Sequence, residues 1–273
     1  MAASGANAVD DLGLEALFGM KGKNVVVTGG SKGIGLMIAA AFVQAGCQVF
    51  IFSRKPDEAA AASLQARGPG TCRAMACDVL DDVAIKRVAA EIDQACPGGI
   101  HCLVNNSGAV WGEPFESTPK SSFDKLLGVN VTGLFMVTQA LGPALERAAT
   151  EADPARVINI ASIDGLGVPT FEEYAYSASK AAVLHMNRVM AGHLASKHIT
   201  FNCISPGLFP SKMGDQVINL AGLDTLKGSI PLGRPGCARD IAGAAMYLAG
   251  PSGAYTTGAN IVIDGGMLVK PRM

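Results

Sequence analysis

The sequence predicts an α/β protein: a doubly wound fold whose seven-stranded parallel sheet carries helices on both faces. Three observations lead there. Strand-like and helix-like segments alternate along nearly the whole chain, and such alternation yields right-handed crossovers and one parallel sheet. Hydrophobic residues make up 49% of the 273 residues and charged residues 16%, which excludes a disordered chain and suits strands buried on both faces. No Pro/Gly/Ser-rich linker and no fixed-period repeat divides the chain, so residues 21–273 read as a single domain behind a loose N-terminal arm over 1–20.

The elements follow in order. The β-branched run 25–27 is a strand that stops at Thr28-Gly29-Gly30, and a helix follows over 36–45. A strand is expected over 48–52, an Ala-rich helix over 57–67, a strand over 73–77 and a helix over 83–95. A strand over 102–105 leads to a long helix over 123–149, which Pro143 should disturb because proline removes a helical hydrogen bond. Strands over 157–161, 200–204 and 261–264 and helices over 176–196 and 240–249 complete the pattern. The stretch 206–236 carries Pro206, Pro210, Pro231 and Pro235 and reads as a long irregular loop of the kind that covers sites.

Composition narrows the function. Basic and acidic side chains number 22 and 23, a formal net charge of -1, which speaks against nucleic acid or a membrane surface as a general partner. No apolar run approaches ~20 residues, so no membrane span is expected. No basic residue precedes Lys21, and Asp10, Asp11 and Glu15 lie in that stretch, unlike a targeting peptide. The expected location is therefore cytoplasmic. The 7 cysteines form no CxxC pair and read as reduced thiols rather than a disulfide or metal framework; no metal site is expected.

Gly29-Gly30-Ser31-Lys32-Gly33-Ile34-Gly35 joins the first strand to the first helix. Glycines allow a tight turn and a close approach of the backbone to a pyrophosphate, and the helix N-terminus supplies free N–H groups. This is the phosphate-binding turn of a Rossmann fold, provided it stands between strand and helix, as it does here. The same residues also read G-x-S-x-G around Ser31, the nucleophile elbow of serine hydrolases, with His185, His193 and His198 downstream. The elbow normally follows several strands, and these histidines fall on or beside one helix, so a hydrolase is the weaker alternative. The second strand ends at Ser53-Arg54-Lys55 with no acid before Asp57. An acid there would bind a ribose hydroxyl; Ser53 and Arg54, with Lys32, suit a 2′-phosphate instead. The expected cofactor is NADP(H).

Tyr176 and Lys180 stand at i and i+4 on one helix face. A free phenol titrates near ~10, and a neighbouring ammonium should lower that value and fit the phenol for proton transfer. Ser162 follows the fifth strand at the carboxyl edge where such sheets bind ligands. Its hydroxyl could reach a substrate oxygen. Asn130 is a polar residue among Val129, Val131 and Leu134.

Taken together these motifs, with Asp78-Val79, Asn105-Asn106-Ser107-Gly108, Pro206-Gly207 and Asp264-Gly265-Gly266, resemble the short-chain dehydrogenase/reductase family over 21–266. The resemblance implies an oxidoreductase that interconverts a ketone and a secondary alcohol. It implies Tyr176 as general acid/base and Lys180 as the residue that tunes Tyr176 and holds the nicotinamide ribose. It implies Ser162 as the group orienting the carbonyl and Asn130 as the anchor of a relay water. It places Asp78 and Val79 at adenine, Asn105, Ser107 and Gly108 along the cofactor, and Pro206, Gly207 and Leu208 beside the nicotinamide. A non-catalytic NADP(H)-binding scaffold is the other alternative, and the complete Ser162, Tyr176, Lys180 and Asn130 set argues against it.

Three departures stand out. Ser107 replaces a usual Ala, Ser211 stands where Thr is frequent, and Tyr176 follows Ser162 by 14 positions, one more than expected. The extra residue falls near 171–173. Val110, Trp111, Leu166, Phe171, Leu208, Phe209 and Met213 are expected to wall an apolar pocket, and Asp164 either touches a substrate hydroxyl or caps a turn. The pattern is similar to 3-oxoacyl-thioester and carbonyl reductases. The resemblance also implies a homotetramer, or a homodimer, formed through the two long helices.

Overall fold

A computed structural model describes residues 12–211 and 223–270. Its seven strands are β1 (Asn24–Thr28), β2 (Gln48–Ser53), β3 (Thr71–Ala76), β4 (Cys102–Asn105), β5 (Ala155–Ile160), β6 (Ile199–Pro206) and β7 (Asn260–Ile263). All pair in parallel, in the order β3-β2-β1-β4-β5-β6-β7. Each expected strand is present, with ends shifted by one or two residues.

Side-chain alternation explains the near-continuous apolar strands. Val26 joins Phe50, Leu103 and Val157 in the core on one face. Its neighbours Val25 and Val27 join Val49, Val104 and Ile158 on the other. Both faces are covered, so successive residues must all be apolar; each such side chain contributes roughly 1.5–3 kcal/mol on burial.

The helices are α1 (Leu14–Phe18), α2 (Gly33–Gln44), α3 (Glu58–Gln65), α4 (Asp82–Ala95), α5 (Lys120–Leu127), α6 (Leu134–Ala148), α7 (Tyr174–Leu194), α8 (Leu223–Ser229) and α9 (Ala238–Ala249). Helices α2 and α9 cover one face through Ile38, Phe42, Ile241 and Leu248. Helices α4, α6 and α7 cover the other through Val88, Ile92, Val137, Leu141 and Val183. Asp57 caps α3 by accepting from Ala60 N at 3.0 Å, and Asp81 caps α4 by accepting from Val83 N at 2.9 Å.

Two expectations are corrected. The long helix is disturbed at Gly128–Gly133, a π turn between α5 and α6, and not at Pro143. Pro143 and Gln139, one turn before it, are both exposed, so the hydrogen bond that proline removes is lost on the solvent side and α6 runs on to Ala148. The stretch 206–236 is not wholly irregular, because it contains α8; residues 212–222, Met213 among them, lie outside the described residues. The helical run 120–148 is long and apolar enough to cross a membrane, yet it buries Leu134, Val137, Leu141, Ala144 and Leu145 in the protein core.

All seven cysteines are unpaired, and only Cys237 is exposed. Burial pushes the Cys47 and Cys203 thiols up to about 12, so both act as small apolar groups.

Candidate active site

At the carboxyl ends of the strands lies a cleft of about 1150 Å³. It opens where the strand order reverses, between β1 and β4. Loops leaving two adjacent strands in opposite directions make a crevice there.

The glycine turn forms one end of the cleft. Gly29 and Gly33 adopt φ of +65° and +53°, a region open to glycine but strained for other residues. A Cβ on Gly35 would stand 2.4 Å from both Asn106 Nδ2 and Gly29 O. The turn is held from β4: Asn106 Nδ2 donates to Thr28 O at 2.9 Å and Gly29 O at 3.2 Å, and Asn106 N donates to Thr28 Oγ1 at 2.9 Å. No side chain caps the N-terminus of α2, and Gly33 and Ile34 face the cleft beside Ser31 and Lys32.

Ser53 and Arg54, at the end of β2, line the same cleft, and Arg54 is exposed. Asp57 is nearby, but its carboxylate is taken up as the cap of α3. Asp78 and Val79 continue the wall, with Asp78 Oδ1 accepting from Leu80 N at 3.0 Å. An uncapped helix start, a glycine cradle and an exposed guanidinium whose nearby Asp57 is engaged as the cap of α3 fit a dinucleotide with a 2′-phosphate.

At the other end, Ser162, Tyr176 and Lys180 all line the cleft. Each is nearly buried, at 5%, 7% and 6% exposure. Lys180 Nζ donates to Ile160 O at 2.8 Å and lies 5.7 Å from the Tyr176 ring centre. Burial lowers the Lys180 pKa to about 8. Burial also pushes the Tyr176 phenol above its ordinary range; a Ser162 hydrogen bond opposes this, and Asp164 and Glu173 add to it. The expected lowering of Tyr176 by Lys180 is therefore not what this geometry produces. The ammonium is directed at a carbonyl and is itself penalised by burial.

Ser162 Oγ donates to Asp164 Oδ2 at 2.9 Å and accepts from Asp164 N at 3.1 Å. So Asp164 both belongs to a tight turn and engages the serine. Glu173, at the start of α7, also lines the cleft. Burial, reinforced by Asp164, raises its pKa to about 7.

Asn130 is not a cleft residue. Its Nδ2 donates to Ala109 O at 3.0 Å and Ser179 Oγ at 2.9 Å, and its Oδ1 accepts from Ala109 N at 2.8 Å. The side chain is thus occupied in tying the π turn to the 105–109 loop and α7. Asn105 also turns away, because at the end of β4 its side chain points into the core. It donates to Thr138 Oγ1 at 2.8 Å and Asn159 Oδ1 at 2.9 Å, and Asn159 donates in turn to Asn187. Gly35 supports the turn by close packing rather than lining the cleft. Ser107, Gly108, Pro206, Gly207 and Leu208 all line it as expected.

Of the expected apolar wall, Val110, Phe171, Leu208 and Phe209 line the cleft. Trp111 does not: it packs under Lys125 and donates from Nε1 to Glu113 Oε2 at 2.9 Å. Leu166 points to solvent at 46% exposure. The stretch 171–173, where the sequence leads one to expect an extra residue, is tied to its surroundings. Glu172 accepts from Phe115 N at 2.8 Å and from Tyr174 Oη at 2.6 Å, and its carbonyl accepts from Glu113 N at 3.0 Å, which staples the 112–115 loop to α7. Asn106 lies within the expected Asn105-Asn106-Ser107-Gly108 motif, whereas Glu173 is not among the residues expected from the sequence; a polar residue directly before a helix start at the cleft is the signal for it.

The elbow reading of Ser31 is not supported. His185, His193 and His198 are exposed on α7 or just past it, and none lines the cleft.

Comparison with known proteins agrees with this geometry. Residues 29–268 match the family described as enoyl-(acyl carrier protein) reductase. A rhamnolipid-biosynthesis 3-oxoacyl-[acyl-carrier-protein] reductase of Pseudomonas aeruginosa is 40% identical over 250 residues, covering 91% of this chain and 97% of the relative. An NADP-dependent (R)-specific alcohol dehydrogenase of Lentilactobacillus kefiri is 34% identical, covering 90% and 97%. Among solved structures, the Pseudomonas aeruginosa RhlG/NADP active-site complex superposes with a TM-score of 0.87 at 41% identity, over 92% of this chain and 98% of the other. The chain belongs to the short-chain dehydrogenase/reductase family of oxidoreductases.

Proposed function

We propose that the protein reduces a ketone with an apolar body to a secondary alcohol, with NADPH as reductant and Tyr176 as general acid. The observation that carries this is the convergence of Ser162, Tyr176 and Lys180 on one wall of a cleft whose other end is the glycine turn with Arg54 beside it. The P. aeruginosa relative, a 3-oxoacyl-[acyl-carrier-protein] reductase, supports a 3-oxoacyl compound as the substrate class.

NADPH, when bound, supplies a hydride to the carbonyl carbon. Gly29, Ser31, Lys32, Gly33 and Ile34 would hold its pyrophosphate, and Ser53 and Arg54 its 2′-phosphate. Tyr176 keeps its proton at neutral pH because burial disfavours the phenolate. The phenol is therefore ready to donate as negative charge develops on the substrate oxygen. Lys180 provides cationic character near that charge while Ile160 O fixes its head group. Phe171, Leu208 and Phe209 would exclude water around the reacting carbon.

Assembly and location belong to the same reading. Phe123, Leu127, Phe135 and Val189 expose apolar side chains on α5, α6 and α7, which supports pairing of those helices with a second copy in a homodimer or homotetramer. Unpaired thiols throughout support a cytoplasmic setting.

NADPH oxidation with ethyl 3-oxobutanoate and 3-oxoacyl thioesters tests the function. Turnover should prefer NADPH to NADH and fall at least ~100-fold in Tyr176→Phe. Tight NADPH binding without turnover of any ketone would instead favour a binding protein.

A further inference from the structure

Ser162 has one proton and two lone pairs, and Asp164 engages the proton and one of the pairs. The proton goes to Asp164 Oδ2, and one lone pair takes Asp164 N–H. While Asp164 is a carboxylate, Ser162 has no proton left for a ketone oxygen. A protonated Asp164 reverses that bond: its O–H donates to Ser162 Oγ, and the Ser162 proton turns toward the cleft.

We propose that Asp164 is a positioning residue that sets the direction of the Ser162 hydroxyl, so that Ser162 donates to the reacting oxygen when Asp164 is protonated and is drawn away from it when Asp164 is ionised. The inference rests on the ketone-reductase reading. Asp164 would thereby raise reduction and oxidation by the same factor at lower pH, because both directions share one transition state. The step balances without it: the hydride pair ends on the carbonyl carbon, the Tyr176 proton ends on the oxygen, and Ser162 and Asp164 lose no proton.

The titratable groups facing Asp164 are Lys180, Tyr176 and Glu173, all from α7. Burial pushes Asp164 upward, while the Ser162 hydrogen bond and Lys180 lower it. Glu173 titrates at about 7 and shares the same wall. Asp164 adds to the rise of Glu173, so the two carboxyl groups titrate as coupled neighbours. Burial keeps the Tyr176 phenol from ionising near neutral pH, so it does not mask the effect.

The test measures kcat/KM for ethyl 3-oxobutanoate reduction and for oxidation of the corresponding alcohol, from about pH 5.5 to about pH 7.5. Wild-type reduction should fall roughly fivefold or more across the range. Asp164→Asn, whose amide N–H donates to Ser162 at every pH, should flatten that profile and change reduction and oxidation by the same factor at each pH. Glu173→Gln should move the wild-type fall to lower pH. An Asp164→Asn profile that still follows wild type overturns the proposal, and so does an Asp164→Asn enzyme as inactive as Ser162→Ala. Carboxyl ¹³C NMR of the enzyme alone separates this from a failure of the reductase reading. Ser162→Ala should raise the Asp164 titration by about one pH unit as it loses a donor; an unmoved titration overturns the proposal even if no ketone is turned over.

Discussion

Asn106 grips the glycine turn from a different strand. Its side-chain amide reaches from the end of β4 to the main-chain oxygens of Thr28 and Gly29. The phosphate cradle is thus braced by the sheet rather than by its own loop. Asn106→Ala would leave both carbonyls without this donor. We expect a loss of roughly 1–3 kcal/mol in stability and weaker NADPH binding. Chemical denaturation and fluorescence titration with NADPH read the two effects.

Arg54 stands exposed just past β2, and the Asp57 carboxylate in the same cleft is engaged as the cap of α3. Arg54→Ala should weaken NADPH binding by about 10- to 100-fold. NADH binding should change little. The ratio of the two dissociation constants measures the cofactor preference, and an unchanged ratio would remove Arg54 from the phosphate site.

Lys180 is held at a cost. Folding lowers its pKa to about 8, whereas the unfolded chain keeps the proton to about 10. Between these values the unfolded state binds more protons, so wild-type stability rises with pH across that window. Lys180→Met removes the buried charge. At pH 7 the variant should unfold at or above the wild-type temperature while losing turnover. The stability gap should then narrow by about 1.4 kcal/mol per pH unit from about pH 8 to about pH 10.

Glu173 carries a raised pKa of about 7, so its ionisation works against the fold. The native state holds the proton above the pH at which the unfolded chain releases it, and stability falls as pH rises toward 7. Glu173→Gln should raise the melting temperature at about pH 8 and leave it nearly unchanged at about pH 3.5, where both states are protonated. Differential scanning calorimetry at the two pH values checks the difference.

The strands and the cleft end points were legible in the sequence for a plain reason. Val25 to Val27, Gln48 to Ser53 and the glycine turn obey local rules: β-branched runs, alternation, and glycine where φ must be positive. Side-chain direction was not legible. Asn105 and Asn106 are neighbours with the same chemistry, yet one faces the core and the other the turn, because they lie at the end of a strand where alternation sends them to opposite sides. The position of the helix disturbance was also hidden. Pro143 is the stronger local breaker, but its effect falls toward solvent. Asn130 prevails because tertiary hydrogen bonds to Ala109 and Ser179 reward the wider turn. The Asp164–Ser162 bond needed coordinates, since a residue two places on can cap, bind or point away.

The π turn at Gly128–Gly133 has a consequence for how this chain can change length. A π turn spends one more residue per turn than an α-helix. Deleting one residue there would close the turn to an ordinary α turn and take Asn130 away from Ala109 and Ser179, loosening the tie between this helix, the cleft loop and α7. Loops at the carboxyl edge can gain or lose residues and merely reshape the pocket. The segment 128–133 has no such freedom: its residue count is part of the gearing between the reacting end and the sheet.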